Sequence, residues 1–393
     1  MAGIVAIMPP DVARQVGPGV GCVVAGAIAN RAHNGGESWV RLSWVLGLAR
    51  LGFEVHFIEQ GGRGAARYLA KVAARFGLSG RCSMVTPDGE VVSGLSADEL
   101  GALADRAEFL VNISGNLSAP SLLSRFRRRA YLDVDPGYTQ FWHAAGQLGT
   151  SLLQHDAWFT VGQNIGTATC PVPTNGIPWR TVLPPVVLSE WPVHVADRAD
   201  RMTTVAGWRG SFGAVEVSGH RYGTKAHEWR RVLALPGLAP QEFEIALAID
   251  PADESDRSSL VEHGWRLVDP LEEAGDPDLF RAYVQESGGE FSVAQGIYVE
   301  TNSGWFSDRT VRYLASGKPV LVQDTGFSRT LPTGEGLVTF RDLGEAVEGA
   351  KRIASSYESH AIAARQLAEE YFDSDRVLGS FLDDLAVERP IHR

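Results

Sequence analysis

Apolar runs the length of a β-strand alternate along the chain with segments of helical period. Residues 22–29 form the first run, followed by a glycine-containing loop over 30–38, a helical pattern over 39–51 and a second apolar run at 54–58. This order predicts the strand, loop, helix and strand unit that builds mostly parallel sheets. The first half continues in the same way, with strands predicted at 109–113, 131–134 and 157–161 and helices at 100–107 and 121–129.

A proline-rich stretch separates this set from a second one. Residues 170–192 contain six prolines, too many for a helix or a central strand, and we interpret them as a linker. The second set is predicted as strands at 203–207, 243–249, 266–268 and 319–322 and helices at 224–234, 277–285 and 308–315. A last amphipathic helix has Asp373 or Ser374 available as its N-cap.

The predicted fold class is therefore α/β, with two Rossmann-like domains facing a central cleft. We expect the first domain to span residues 1–185 and the second to span 186–372. The C-terminal helix, within 373–393, is expected to pack back on the first domain.

Composition and charge narrow the class of protein. The 393 residues suffice for two or three domains, and the net charge of −11 argues against a nucleic-acid partner while leaving room for a local phosphate pocket. Cys22, Cys82 and Cys170 lie far apart without metal-ligand spacing, which is typical of reduced thiols. The chain has no run of about 20 apolar residues, and residues 1–8 do not resemble a signal peptide. We expect a cytoplasmic protein without a membrane span.

The loop after the first predicted strand is the first candidate for ligand binding. Ligands of open parallel sheets bind beyond the carboxyl ends of the strands. Gly35 and Gly36 allow a ligand to approach the backbone there, and the N-terminus of the following helix favours a negative charge. The alternative is a glycine loop that only turns the chain.

Two segments carry a resemblance to a known family. Residues 35–38 read GGES ahead of a helix that leads into LGFEV at 51–55, and residues 314–322 read LASGKPVLV. They resemble the Gly-Gly loop and the Ala-x-Gly-x-Pro-Val segment of glycosyltransferases of the GT-B fold, and are most similar to the retaining branch called group 1. The resemblance implies sugar transfer from a nucleotide-diphosphate sugar to a hydroxyl of a small-molecule or glycan acceptor, with retention favoured and with neither a metal nor another cofactor.

By the same resemblance, the donor binds the second domain. Residues 203–209 read TTVAGWR and open that domain with a strand and a glycine turn, and Lys225 follows. In the family an arginine and a lysine of this region hold the donor diphosphate, whose charge grows as the glycosidic bond breaks. The resemblance assigns this role to Arg209 and Lys225, and Gly35 and Gly36 join the donor site. A solvated lysine at a helix start is the alternative for Lys225.

The segment ahead of the predicted helix 308–315 completes the donor side. Its amides and hydroxyl groups are suited to a phosphate at the helix N-terminus. The candidate residues there are Gly304, Ser307, Asp308, Arg309 and Thr310. The sequence departs from the family at Arg312, where retaining members have a glutamate that binds the nucleotide ribose. Asp308, one helical turn earlier, is the candidate replacement.

The acceptor side holds two candidates for catalysis. Asp135 follows a predicted strand in the segment DVDPGY, and we expect it to line the cleft with Tyr138, near Trp142. Capping of the following Pro-Gly turn is the alternative role for Asp135. His33 lies in the first glycine loop, and a histidine suits a base that deprotonates the acceptor hydroxyl because an imidazole titrates near neutral pH. A retaining reaction needs no such base, and His33 would then only hydrogen-bond the substrate.

Two other functions stay open at this point. Arg312 in place of the glutamate is consistent with a non-catalytic GT-B-like protein that binds a nucleotide or activates a partner enzyme. A GT-B epimerase or phosphorylase would instead turn the donor over without an acceptor. An NAD-dependent enzyme is disfavoured, because no Gly-x-Gly-x-x-Gly opens a helix after the first strand.

Overall fold

Two largely parallel sheets organise the chain, one in each half of the sequence. The computed structural model describes residues 21–148, 151–195, 197–217 and 219–390, so the expectation for residues 1–8 concerns a segment outside the described residues. Strands and helices alternate in both halves, and the predicted α/β class with two Rossmann-like domains is confirmed.

The first domain is built on a sheet that has eight strands among the described residues, in the order β4-β3-β2-β1-β5-β6-β7-β8. All pair in parallel except β4, which is antiparallel to β3. The strands are β1 (Gly21–Ala25), β2 (Glu54–Gln60), β3 (Cys82–Val85), β4 (Val91–Ser93), β5 (Leu110–Ile113), β6 (Arg129–Asp133), β7 (Ala157–Thr160) and β8 (Arg180–Thr181).

Helices cover both faces of this sheet. They are α1 (Gly35–Arg50), α2 (Arg63–Arg75), α3 (Ala97–Arg106), α4 (Pro120–Leu123) and α5 (Tyr138–Ala144). Cys22 and Val24 of β1 pack with residues of α1 and α2, whereas Val23 and Ala25 pack with residues of α3 and α4. A strand buried on both faces needs a continuous apolar run, which is the pattern that predicted β1.

The second domain is built on a sheet of parallel strands in the order β13-β12-β9-β14-β15-β16. Its strands, with the separate hairpin β10–β11, are β9 (Arg201–Gly207), β10 (Val215–Val217), β11 (His220–Tyr222), β12 (Glu242–Ala248), β13 (Arg266–Val268), β14 (Gly289–Ser292), β15 (Val320–Gln323) and β16 (Leu337–Phe340). The helices that follow α5 along the chain are α6 (Lys225–Arg231), α7 (Glu254–Glu262), α8 (Pro270–Ala274), α9 (Pro277–Glu286), α10 (Gly296–Glu300), α11 (Asp308–Ala315), α12 (Leu343–Ser355), α13 (Tyr357–Leu367) and α14 (Ser374–Asp384).

The chain crosses between the domains at two neighbouring points. Val186, in the linker, forms a parallel β-bridge with Asp373, which caps α14. Beyond that bridge α14 packs on α1, and the rings of Trp44 and Phe381 meet edge to face with centroids 5.0 Å apart. The C-terminal helix therefore lies against the first domain.

Two predicted boundaries near the first loop are wrong for local reasons. The first strand ends at Ala25 rather than at residue 29, because the Glu59 carboxylate accepts hydrogen bonds from the amides of residues 28–30 and turns the chain. The first helix begins at Gly35 rather than at residue 39, because the Asn34 side chain caps it.

The helix predicted over 121–129 is also wrong. It is reduced to the single turn α4, and Arg129 begins β6. The amide and the guanidinium of Arg129 both donate to the Asp156 carboxylate beside β7. These hydrogen bonds keep the segment paired with β7 in the sheet.

Between residues 21 and 390, apart from the gaps at 149–150, 196 and 218, no helix is long and apolar enough to cross a membrane.

Candidate functional site

A cleft of about 360 Å³ opens between the two domains. In each sheet the strand order reverses beside the first strand, between β1 and β5 and between β9 and β14. Ligands of open parallel sheets bind at such points. Residues that line the cleft include His33, Gly36, Glu37 and Asp135 of the first domain and Gly207, Lys225, Gln295, Tyr298, Ser307, Asp308 and Arg309 of the second.

The loop after β1 forms one edge of the cleft. Asn34 Oδ1 accepts the amide hydrogen of Glu37 at 3.1 Å, so that Gly36 lies in the first turn of α1, where amide hydrogens have no partner within the helix. His33 adopts a φ of 65°, in the left-handed region that few residues other than glycine enter. Its ring centroid is 6.0 Å from that of Tyr68. This turn directs His33 to the cleft.

Two aspartates at the end of β6 have different surroundings. The Asp133 carboxylate is fully buried and accepts hydrogen bonds at 2.6–2.9 Å from three side chains, those of Thr139, Gln140 and Thr160. Asp133 therefore anchors the turn between β6 and α5. Asp135, in that turn, is half-buried and lines the cleft.

Asp135 is hydrogen-bonded by a residue of the other domain. The Tyr298 hydroxyl donates to Asp135 Oδ1 at 2.9 Å. Burial raises the pKa of Asp135 to about 7; the Tyr298 hydrogen bond and Arg41 lower it, and the negative charges of Asp133 and Glu37 raise it. A carboxylate with this pKa is suited to exchange a proton at neutral pH.

Lys225 faces the cleft from the second domain. It begins α6, and its amide donates to Gln295 Oε1 at 2.8 Å. Its ammonium has neither an ion pair nor a hydrogen bond within the part of the chain that the structure describes, and the residue lines the cleft. Burial lowers the pKa of Lys225 to about 7, and the nearby Arg309 contributes to the decrease. An ammonium without a partner at this position can receive an anion.

Arg309 also lines the cleft, but its guanidinium nitrogens donate hydrogen bonds within the second domain. Nε donates to Glu290 at 2.6 Å, Nη1 to the Val205 carbonyl at 2.8 Å and Nη2 to the Ser292 hydroxyl at 2.6 Å. The Glu290 side chain is completely buried. Arg309 therefore joins the ends of β9 and β14, and most of its charge is neutralised by Glu290.

Arg312, at the position of the family glutamate, is buried between the domains. Its side chain is 1% exposed, and its Nη2 donates to Ser43 of α1 at 3.2 Å. Its Nη1 donates to Asp308 Oδ2 at 2.7 Å. Asp308 lines the cleft, so Arg312 holds one oxygen of the carboxylate that the sequence offered as a ribose ligand.

Of the predicted donor-site residues, Gly35, Gly304 and Thr310 lie outside the lining of the cleft, as does Arg209. At Gly35, a Cβ would collide with the backbone of Asp276, and at Gly304, with a φ of 74°, a Cβ would lie 2.8 Å from the Asn164 nitrogen. Both glycines therefore allow the two domains to approach each other. Thr310 is buried within the second domain and is 1% exposed.

Arg209 also differs from its expected placement. Its guanidinium donates twice to the buried Asp253 carboxylate, at 2.6 and 2.8 Å, and its side chain is 63% exposed. It does not line the cleft as Lys225 does.

Tyr138 and Trp142 belong to an aromatic contact between the domains. The Phe212 ring, from the segment between β9 and β10, lies 4.9 Å from each of their rings. Tyr222 of β11 stacks on Phe141 at 5.4 Å. The hairpin segment therefore covers α5, and neither predicted acceptor residue lines the cleft.

Gln295 and Tyr298 are among the residues of the cleft that sequence reasoning missed. Both follow β14, a strand that was not predicted because its four residues read GEFS and include the charged Glu290. Recognition of that strand would have placed the segment AQGIY at a strand end, where ligands bind.

Clustered side chains form no metal centre in the described part of the chain. Over residues 21–148, 151–195, 197–217 and 219–390, no group of three or more His, Cys, Asp or Glu residues is arranged to hold a metal ion. Metal independence stays a prediction.

The fold is shared with solved structures, although no protein-family model and no curated protein matches the chain. HepE of Anabaena in complex with UDP and glucose aligns with a TM-score of 0.59 at 10% identity, over 93% of this chain and 99% of that one. The HepE complex with UDP-glucose gives 0.58 at 11% identity with the same coverage. A glycosyltransferase from Rickettsia africae gives 0.52 at 10% identity, over 93% of this chain and 98% of that one. The chain has the GT-B fold.

Proposed function

We propose that the protein is a glycosyltransferase that moves a sugar, a hexose by the resemblance, from a nucleotide-diphosphate sugar to an acceptor hydroxyl. Lys225 carries the proposal, because it presents to the interdomain cleft an ammonium that pairs with no carboxylate of the described residues. A diphosphate leaving group gains negative charge in the transition state, and a fixed cation stabilises it. The shared fold with HepE, solved with UDP-glucose, supports a nucleotide sugar as the donor.

The proposal gives each side of the cleft a task. Lys225 and the Ser307 hydroxyl, ahead of α11, hold the diphosphate on the second-domain side. Asp308 takes the ribose hydroxyls with the carboxylate oxygen that Arg312 leaves free. On the first-domain side, Asp135 faces the acceptor hydroxyl, and His33 hydrogen-bonds the substrate.

The stereochemical course has two candidates. The resemblance implies retention, which stays a prediction. Asp135 favours inversion, because a proton acceptor on the side opposite Lys225 suits direct displacement by the acceptor oxygen. The anomeric configuration of the product, read by NMR from the proton coupling constant, decides between them.

The proposal includes metal-independent catalysis in the cytoplasm. Lys225 supplies the charge that a metal ion would supply at the diphosphate, so a chelator is expected to leave the transfer rate unchanged. The cytoplasmic location rests on Cys22, Cys82 and Cys170, which are all unpaired.

Binding and transfer assays test the proposal. Calorimetry with UDP, GDP and TDP measures nucleotide affinity, and product formation from the corresponding sugar nucleotides measures transfer. Lys225→Ala is expected to weaken nucleotide binding by about tenfold or more. Arg209→Ala is expected to change it by less than about threefold, because its partner is Asp253. Lys351→Ala, on the exposed face of α12, is the matched control.

The outcomes separate the competing functions. A protein that binds none of these nucleotides and transfers none of their sugars would refute the proposal. Nucleotide binding without transfer would favour the non-catalytic alternative, and donor turnover without an acceptor would favour an epimerase or phosphorylase.

A further inference from the structure

A hydrogen bond between Tyr298 and Asp135 joins the two sides of the cleft. Asp135 follows β6 in the first domain, and Tyr298 lies on α10 in the second. The tyrosine hydroxyl donates to Asp135 Oδ1 at 2.9 Å. The candidate proton acceptor is therefore in direct contact with the domain that holds the donor.

Each partner is held in place by its own domain. The Tyr298 ring is 3% exposed and stacks on Trp305, with centroids 4.6 Å apart and planes inclined by 28°. The Asp135 amide donates to Asp133 Oδ1 at 3.1 Å, which fixes the turn that carries Asp135. Because each side chain is held by contacts within its own domain, we expect separation of the domains to break their hydrogen bond.

Asp135 keeps one carboxylate oxygen for a substrate. Within the described residues only Oδ1 is hydrogen-bonded, and the residue lines the cleft. The charged and titratable groups that act on this carboxylate are Tyr131 and Asp133 of β6, Glu37 and Arg41 of α1, Tyr138 of α5, Lys225 of α6 and Tyr298 of α10.

We propose that Tyr298 is a positioning residue that fixes the Asp135 carboxylate as the proton acceptor for the acceptor hydroxyl when the two domains are closed. The inference rests on the proposed function. The hydroxyl proton passes to Asp135 Oδ2 as the hydroxyl oxygen bonds to the anomeric carbon. The bond from that carbon to the diphosphate breaks, and its electron pair stays on the diphosphate beside Lys225. Tyr298 keeps its own proton throughout.

Tyr298→Phe tests the role of the hydroxyl while keeping the ring on Trp305. The hydrogen bond stabilises the ionised form of Asp135, so its loss raises the pKa of Asp135 above its value of about 7. The acidic limb of the profile of kcat/KM against pH is expected to move upward by about one unit, because the base must be ionised to act. At pH 7, kcat is expected to fall about fivefold or more, and the donor KM to change by less than about twofold.

Tyr357→Phe is the matched control. The Tyr357 hydroxyl donates to the Gly288 carbonyl at 2.7 Å, away from the cleft, so its loss is expected to leave the pH profile unchanged. A Tyr298→Phe enzyme with the profile of the wild type would overturn the inference.

A second measurement needs no turnover. Titration of the wild type by carboxyl ¹³C NMR, with Asp135→Asn to assign the signal, is expected to give Asp135 a pKa near 7 that rises in Tyr298→Phe. An ordinary value near 4 in the wild type would overturn the inference even where Tyr298→Phe does not fold. A wild type that shows the raised pKa but transfers no sugar would refute the proposed function and leave the coupling between Tyr298 and Asp135 standing.

Discussion

The charge of Lys225 is expected to change within the pH range in which the protein can be assayed. Burial lowers its pKa to about 7, so about nine tenths of the ammonium is protonated at pH 6 and about one tenth at pH 8. The protonated form donates charge-assisted hydrogen bonds to a diphosphate, and the neutral amine does not provide that charge. Lys225→Met removes the charge and keeps an unbranched side chain.

The magnitude follows from this pKa. At pH 6, Lys225→Met is expected to weaken UDP binding by about 1.5–3 kcal/mol, the usual contribution of a hydrogen bond to a charged group. Between pH 6 and pH 8 that penalty is expected to shrink by about tenfold in Kd, or about 1.4 kcal/mol, because the free protein must first take up a proton. The phosphate of the nucleotide titrates in the same range, but it acts on both proteins, so the ratio of their Kd values isolates Lys225.

Calorimetry in two buffers of different ionisation enthalpy measures this linkage. At pH 8 the wild type is expected to take up about 0.9 proton per UDP bound, and Lys225→Met about none. Thermal melting of the free variant serves as the control: its melting temperature should equal or exceed that of the wild type, because methionine has no charge to desolvate. Parallel pH dependences of Kd in the two proteins would refute the reasoning.

Three further substitutions test other parts of the structure. Gly35→Ala is expected to lower the melting temperature by several degrees, because the added methyl group meets the backbone of the second domain. The control Gly64→Ala, which lies in open space on α2, should not lower it. Equal effects of the two substitutions would contradict the close contact between the domains. Arg309→Met is expected to cost about 3–5 kcal/mol in urea unfolding because Glu290 stays buried without a partner, and a loss below about 1 kcal/mol would contradict this. Asp135→Asn is expected to slow transfer by about 10²–10⁴-fold while calorimetry shows UDP affinity kept or increased, and a wild-type rate would exclude Asp135 as the base.

Sequence patterns predicted four of the six strands in the sheet of the second domain. The run at 243–249 corresponds to β12, and the strand predicted at 266–268 coincides with β13. Strand β14 was not predicted, because Glu290 interrupts its short apolar run. That carboxylate is tolerated in the core because Arg309, which follows β14 at the start of α11, neutralises it, and such a contact is not contained in a local pattern.

The rule that ligands bind at strand ends predicted that His33 and Asp135 line the cleft, whereas Lys225 was assigned to it by the resemblance to GT-B glycosyltransferases. The strand-end rule could not distinguish a glycine that approaches a ligand from a glycine that approaches another domain, because both positions require only that a Cβ be absent. Gly36 lines the cleft, whereas Gly35, its neighbour, packs against the second domain. The orientation of the two domains decides between these roles, and no local pattern contains it.

The pairing of charges around the cleft shows which groups are left for a substrate. Three ion pairs neutralise groups within their own domain: Glu37 with Arg41, Glu290 with Arg309 and Asp308 with Arg312. Among the described residues, Lys225 has no such pair, and Asp135 accepts a hydrogen bond only from the neutral Tyr298 hydroxyl. A cation on the second-domain side and a carboxylate on the first-domain side therefore face the cleft. Inverting sugar transfer uses these two charges, because the leaving diphosphate gains negative charge while the entering hydroxyl loses a proton.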